Sequence, residues 1–193
     1  MTSDIHHYDN GKPLNRSEAI KRQIERDAAR HFLRLYEHIY KTPMRNIWHN
    51  EPSKPDISCH LNGKPLDLEI AHLYASASEA KILTREIIHQ VQGREEVIKA
   101  NDKELELLHY LSDLVDMDSK QRLETALTRL LKSKAKKTYD SPRVWLVIRN
   151  ASPLWKSKDF EYCINNFKMP KNPFEQIWLL PEFDGSEPPM RIF

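Results

Sequence analysis

Asp56 and Glu69 are separated by twelve residues, and Asn62-Gly63 lies midway between them. Asn and Gly both tolerate positive φ, so this pair marks a two-residue hairpin turn. A hairpin at that point brings the two acids together on adjacent strands. Carboxylates aimed at one point repel each other unless a cation lies between them. Hard oxygen ligands in small number suit Mg²⁺ or Mn²⁺, which keep several waters and accept phosphate oxygens. Such an ion polarises a phosphodiester, lowers the pKa of a bound water and neutralises the charge that develops.

The elements that must hold these acids follow from pattern. Asp56 to Leu61 reads as a strand and Pro65 to Leu73 as its return. Alternation along the return puts Leu66, Leu68 and Ile70 on one face and Asp67, Glu69 and Ala71 on the other. His72 falls on the Leu68 and Ile70 side, which predicts a buried, hydrogen-bonded imidazole. Arg45 to His49 reads as a weaker strand. Before it, Asn15 opens a helix, with Glu18 completing a capping box. Ile20, Ile24, Ala28, Phe32 and Leu35 recur at helical spacing to about Tyr40, and Thr42-Pro43 stops the helix.

A helical region spans about 78 to 137, with Gly93 and Asn101-Asp102 as expected breaks and a last helix from about Ser119. Val144 to Ile148 is a continuous apolar run, as expected of a strand buried on both faces. Residues 157–167 read as a helix, Ile177 to Leu180 as a last buried strand, and the Pro-rich residues 182–193 as an irregular tail. The sequence thus predicts an α/β domain over 15–181, a mixed central β-sheet flanked by helices, preceded by a flexible arm over 1–14.

Pro55-Asp56, twelve residues, then Glu69-Ile70-Ala71 resembles the PD-(D/E)xK nuclease motif. The resemblance covers roughly residues 15–150 and implies a restriction endonuclease-like core. It also implies that Asp56 and Glu69 bind Mg²⁺ or Mn²⁺, with the Ile70 carbonyl as an extra ligand. Ala71 stands where the motif has its lysine. Two replacements fit. In one, the lysine has moved to a helix, as in several branches of that superfamily. The segment from Leu130 to Ile148 resembles the helix and buried strand that follow the motif there. Spacing agrees, since Lys134 continues the Leu127 and Leu130 stripe and Lys137 follows three residues on, while Lys132 and Lys136 face away. A lysine on a buried stripe needs an anionic partner. In the other, Asp67 and Glu69 form the second motif and Glu69 takes the lysine's place. A further carboxylate often comes from the first helix in this family, and Glu25, at the flank of the Ile24 and Phe32 stripe, is the best match, with Glu18 on the same flank.

The implied activity is metal-dependent endonucleolytic hydrolysis, on DNA in preference to RNA, with catalytic residues Asp56, Glu69, Lys134, Lys137 and Glu25. A chain of 193 residues with no added recognition domain implies a protein partner or a homodimer, in a phage-defence or mobile-element setting. The alternative is a nuclease fold without activity that binds nucleic acid or a protein partner, which Ala71 favours. A third reading makes the acidic region 95–118 a protein-binding surface.

Charge distribution says more than the net charge of +2. Eight acids stand against two lysines from Glu95 to Asp118, and seven basic residues against Glu124 from Lys120 to Lys137. The basic stretch suits contact with a polyanion. Trp48, Tyr74 and Trp155 are candidates to stack on bases. His6-His7 has metal-binding chemistry but lies in the arm. Only four glycines occur, none with phosphate-loop spacing. No apolar run approaches the roughly 18 residues of a membrane span. A polar start and two distant cysteines, Cys59 and Cys163, predict reduced thiols in a cytoplasmic protein with no membrane partner.

Overall fold

The computed structural model describes residues 8–9, 12–13, 16–50, 55–92, 100–115, 118–182 and 186–193. Residues Tyr8–Asp9 (β1) and Lys12–Pro13 (β2), within the arm expected to be flexible, form a small antiparallel ladder. Helix α1 (Arg16–Tyr40) follows, then β3 (Met44–His49), β4 (Ile57–Leu61), β5 (Lys64–Leu73), α2 (Ala77–Gln92), α3 (Ala100–Val115) and α4 (Ser119–Ala135). The chain ends with β6 (Val144–Asn150), α5 (Ser157–Asn166), β7 (Gln176–Leu180) and β8 (Met190–Arg191). The main sheet has six strands in the order β3-β4-β5-β6-β7-β8. Pairing is antiparallel from β3 to β5, parallel from β5 to β7, and antiparallel between β7 and β8.

The hairpin forms because its turn residues permit it. Asn62 and Gly63 have φ of 52° and 75°, the left-handed pair of a type I′ turn, and Leu61 pairs with Lys64 across it. That register fixes the faces of β5. Leu66, Leu68 and Ile70 pack with Ala28, Ala29, Phe32 and Leu33 of α1, while Ala71 and Leu73 pack with Leu123, Ala126, Leu127 and Leu131 of α4. Helix α1 therefore covers one face of the sheet, and α4 with α5 the other. Leu123, Leu127 and Leu131 are essentially inaccessible, and burying each contributes roughly 1.5–3 kcal/mol. No described helix is long and apolar enough to cross a membrane. Cys59 and Cys163 are free thiols.

Three sequence expectations change. The buried stripe of α1 runs through Glu25, Ala28, Ala29, Phe32 and Leu33, with Ile24 and Leu35 only half-buried. It is rotated by about one residue from the expected line. Asn101-Asp102 falls in the first turn of α3, where Asn and Asp are favoured, and opens a helix instead of breaking one. The tail is not wholly irregular: β8 pairs with β7, and at the edge the Ile192 N–H donates to the Ile177 carbonyl while the Ile177 N–H donates to the Phe193 carbonyl. The Asn15 and Glu18 capping box, Gly93 and His6-His7 lie outside the described residues and side chains.

Candidate functional site

The site lies where β4 begins beside β5. Extending the pairing of Ile57 with Leu68 by one step sets Asp56 opposite Glu69, and by two sets Pro55 opposite Ile70. A two-residue turn makes Leu61 and Lys64 a hydrogen-bonded pair, so Ile57–Leu68 and Pro55–Ile70 fall at bonded positions and Asp56–Glu69 at a non-bonded one. Side chains sit closest at non-bonded positions. Proline has no N–H, so Pro55 has nothing to donate to the Ile70 carbonyl. Both main-chain groups of Ile70 are then taken by side chains. Its N–H donates to Asp56 Oδ2 at 2.7 Å, and its carbonyl accepts from Lys134 Nζ at 2.8 Å. Pro55 thus does specific work in the motif, leaving a carbonyl for a cation.

Asn50 holds the entry to β4. Its N–H donates to the Asp56 carbonyl at 3.0 Å, and its side-chain amide donates to the Pro55 carbonyl at 2.6 Å and to Ser58 Oγ at 2.7 Å. The Ser58 hydroxyl in turn donates to Asp67 Oδ1. Asp67 is half-buried and engaged.

Glu69 faces α4 because β5 alternates. Its carboxylate is 2% exposed, and Oε1 accepts from Lys134 Nζ at 2.6 Å and Lys137 Nζ at 2.8 Å. Lys132 and Lys136 are exposed. The position of α4 is fixed at both ends. Asp118 caps its start by accepting from the Lys120 and Gln121 N–H groups, and the Tyr139 hydroxyl donates to the Lys134 carbonyl at 3.0 Å. Tyr139 went unnoticed in the sequence. Its phenol is held neutral, its pKa pushed up by burial and by the Glu69 and Asp56 charges.

Glu25 was read as lying at the flank of α1, yet it is buried, with Lys21 Nζ 3.7 Å from Oε1. Burial raises its pKa, and the Glu69 charge adds to that, against Lys21, Lys134 and Lys137. Asp56 is pushed up to about 6 by burial, then by Glu69 and Glu25, against the Ile70 N–H bond and Lys134. Glu25, Asp56 and Glu69 therefore form one electrostatic cluster, opposed by three amines. Burial works against the charge of Lys137, but its bond to Glu69 and the neighbouring acids outweigh that and leave its pKa raised.

His72 is half-buried with both ring nitrogens buried, but it is not hydrogen-bonded as expected: neither nitrogen has a partner among the described residues. Burial lowers its pKa to about 3, helped by the positive charges of Arg149, Lys134 and Lys21, so the ring is neutral. Trp155 is fully buried against Phe160 and cannot stack on a base, whereas Trp48 is 46% exposed.

Among the described residues no three His, Cys, Asp or Glu side chains form a ready-made metal cage. Glu69 Oε1 and the Ile70 carbonyl meet at Lys134 Nζ, and Asp56 lies beside them on the Ile70 N–H, all hard-oxygen donors of the kind that Mg²⁺ or Mn²⁺ takes. The Lys134 ammonium, bonded to both Glu69 Oε1 and the Ile70 carbonyl, marks where two of these oxygens share a positive charge. Comparison with protein-family models, curated proteins and solved structures gave no match to this chain.

Proposed function

We propose that this chain is a divalent-metal-dependent nuclease with a restriction endonuclease-like core of the PD-(D/E)xK kind, acting on DNA in preference to RNA. One observation carries the reading. The amine of Lys134, from a helix 65 residues away in sequence, reaches Glu69 and the Ile70 carbonyl, supplying in space the lysine that Ala71 replaces in sequence.

In this reading Asp56, Glu69 and the Ile70 carbonyl hold Mg²⁺ or Mn²⁺. The ion, when bound, polarises the phosphodiester and acidifies a water. Lys134 and Lys137 neutralise charge on the scissile phosphate and orient the attacking water. Glu25, buried beside Lys21 and with its pKa raised by burial, assists as a further carboxylate beside Asp56 and Glu69. A polyanionic substrate also suits the outer side of α4. A groove of about 750 Å³ there is lined by Thr125, Thr128, Arg129, Lys132, Ser133 and Lys136, among others. Lysine, arginine and hydroxyl groups are the usual donors to phosphate oxygens.

The test is cleavage of plasmid and linear DNA in Mg²⁺ and Mn²⁺ by the wild type, Asp56→Ala and Glu69→Ala. Both substitutions are expected to abolish cleavage, and undiminished cleavage by both would end the proposal.

A second reading is favoured by the same ion pairs. Two ammonium groups already neutralise Glu69 Oε1, so the acids are tolerated with no metal. A nuclease fold that binds nucleic acid without cutting it would then bind in EDTA and show no cleavage in either metal.

A further inference from the structure

Helix α3 is built inside out. Its polar groups face the protein: Glu106 pairs with Arg85 at 2.5 Å, Tyr110 bonds Glu79, and the Leu114 carbonyl accepts from Arg122. Its apolar side chains face water. Leu105, Leu107, Leu108, Leu111 and Val115 are 52, 51, 62, 47 and 84% exposed, while the leucines of α4 lie in the core. Single exposed leucines need no explanation, but five large apolar residues on one 16-residue helix form a contiguous patch that marks an interface.

We infer that α3 pairs antiparallel with α3 of a second copy of this chain. The spacing is self-complementary. A two-fold axis between positions 109 and 110 sets Leu108 level with Leu111 of the other copy and Leu105 within one residue of Val115, and the same contacts repeat across the axis, as an isologous interface requires. Leu105, Leu108, Leu111 and Val115 step by three, three and four residues, the seam of a helix pair. The five side chains expose roughly 500 Å² per copy, so pairing buries on the order of 1,000 Å² in total, the lower bound for a specific interface. The inference does not rest on the nuclease reading.

Charge sets how the pair responds to salt. Helix α3 carries Asp102, Glu104 and Asp113 against Lys103, with Glu106 already paired to Arg85. Each copy thus brings a net negative helix to the pair, so added salt tightens the pair by screening. Association bridged by nucleic acid does the reverse.

Sedimentation equilibrium on the full, nucleic-acid-free chain tests this. The wild type is expected at twice the 22.8 kDa of one chain, with association strengthened by salt. The doubly substituted Leu108→Glu, Leu111→Glu chain is expected to be monomeric, its dissociation constant raised about 100-fold or more. Its far-ultraviolet circular dichroism stays unchanged, because the replaced side chains are exposed. Mixing Leu108→Cys with Leu111→Cys under oxidation gives a mixed disulfide dimer if the helices run antiparallel. A wild type that is monomeric at every concentration overturns the inference and leaves the face to a different protein. A dimer that survives the double substitution, or weakens as salt rises, overturns it equally. Asp56→Ala dimerises as the wild type does, so failure of the nuclease reading leaves this result intact.

Discussion

Glu69 and Glu79 are both 2% exposed, Glu69 within β5 and Glu79 in the first turn of the helix that follows it. Their partners differ in kind. Glu79 is met by neutral donors: the Ala75 N–H at 2.6 Å, the Ser152 hydroxyl at 2.8 Å and the Tyr110 hydroxyl. Ser76 accepts from the Glu79 N–H at 3.1 Å and so caps the start of α2. Glu69 is met by two ammonium groups on flexible stems, one of them 55% exposed, and two further acids share its field. Neutral donors, one from the backbone and two from short or packed side chains, hold the Glu79 carboxylate and tie α2 to the loop after β6. Mobile cations can leave a carboxylate, so on the proposed function Glu69 would exchange them for a metal and a phosphate. Burial alone separates the two acids no better than sequence does; the charge of the partners separates them.

The largest expected effect strikes one side of this comparison only. Lys134→Ala removes the ammonium that bridges Glu69 and the Ile70 carbonyl, and cleavage is expected to fall roughly 10²–10³-fold. Glu79→Ala is expected to leave the specific activity of the folded protein near that of the wild type. Parallel rate measurements on both variants decide it, and equal losses would erase the distinction. Stability then reverses the ranking. Glu79→Ala strips partners from three donors, two of them buried, and is expected to cost about 2–4 kcal/mol, read from urea unfolding midpoints. Lys134 is 20% exposed on its side chain, so its loss is softened by water and by Lys137, which keeps its bond to Glu69. Should Lys134→Ala prove the more destabilising of the two, the role given to Lys134 would be structural.

Parts of this arrangement were legible in sequence because they are local. Asn62-Gly63 announces its turn through backbone chemistry, and the turn alone fixes that Asp56 faces Glu69. The leucine spacing of α4 carries Lys134 toward the sheet through helical period. Glu25 was harder: counting apolar residues centres the α1 stripe on Ile24 and Phe32, whereas Ala28, Ala29 and Leu33 define the face that is buried and bring Glu25 into it. A buried acid is invisible to hydropathy, since its place depends on Lys21, Lys134 and Asp56 arriving from elsewhere. Glu79 had a readable signal in Ser76-x-x-Glu79 that went unused. Strand β8 had none, because two residues pairing with β7 leave no periodic trace. The solvent-facing leucines of α3 were hidden for the opposite reason: periodicity reports an apolar face without reporting which way it turns.

The smallest effect, and the sharpest on the site, is the response of Asp56 to pH in metal-free protein. Burial raises its pKa from 3.8 to about 6, with Glu69 and Glu25 adding to the rise. Between those values the native state keeps a proton that the unfolded chain has released. The native state therefore binds more protons, and stability falls as pH rises through the window. A shift of this size corresponds to about 2–3 kcal/mol of lost stability once pH exceeds about 6. Asp56→Asn keeps an oxygen to accept the Ile70 N–H and removes the titration. The variant is expected to match the wild type near pH 4 and to exceed it in stability above about pH 7, in EDTA. Added Mg²⁺ or Mn²⁺ is expected to raise the melting temperature of the wild type and not that of the variant, because ligand bound only to the native state adds stability. Glu79 also has a raised pKa from burial, yet no divalent ion should change the melting behaviour that depends on it. A wild type whose stability ignores both pH across this window and divalent ions would place Asp56 with Glu79, as a carboxylate the fold holds for itself.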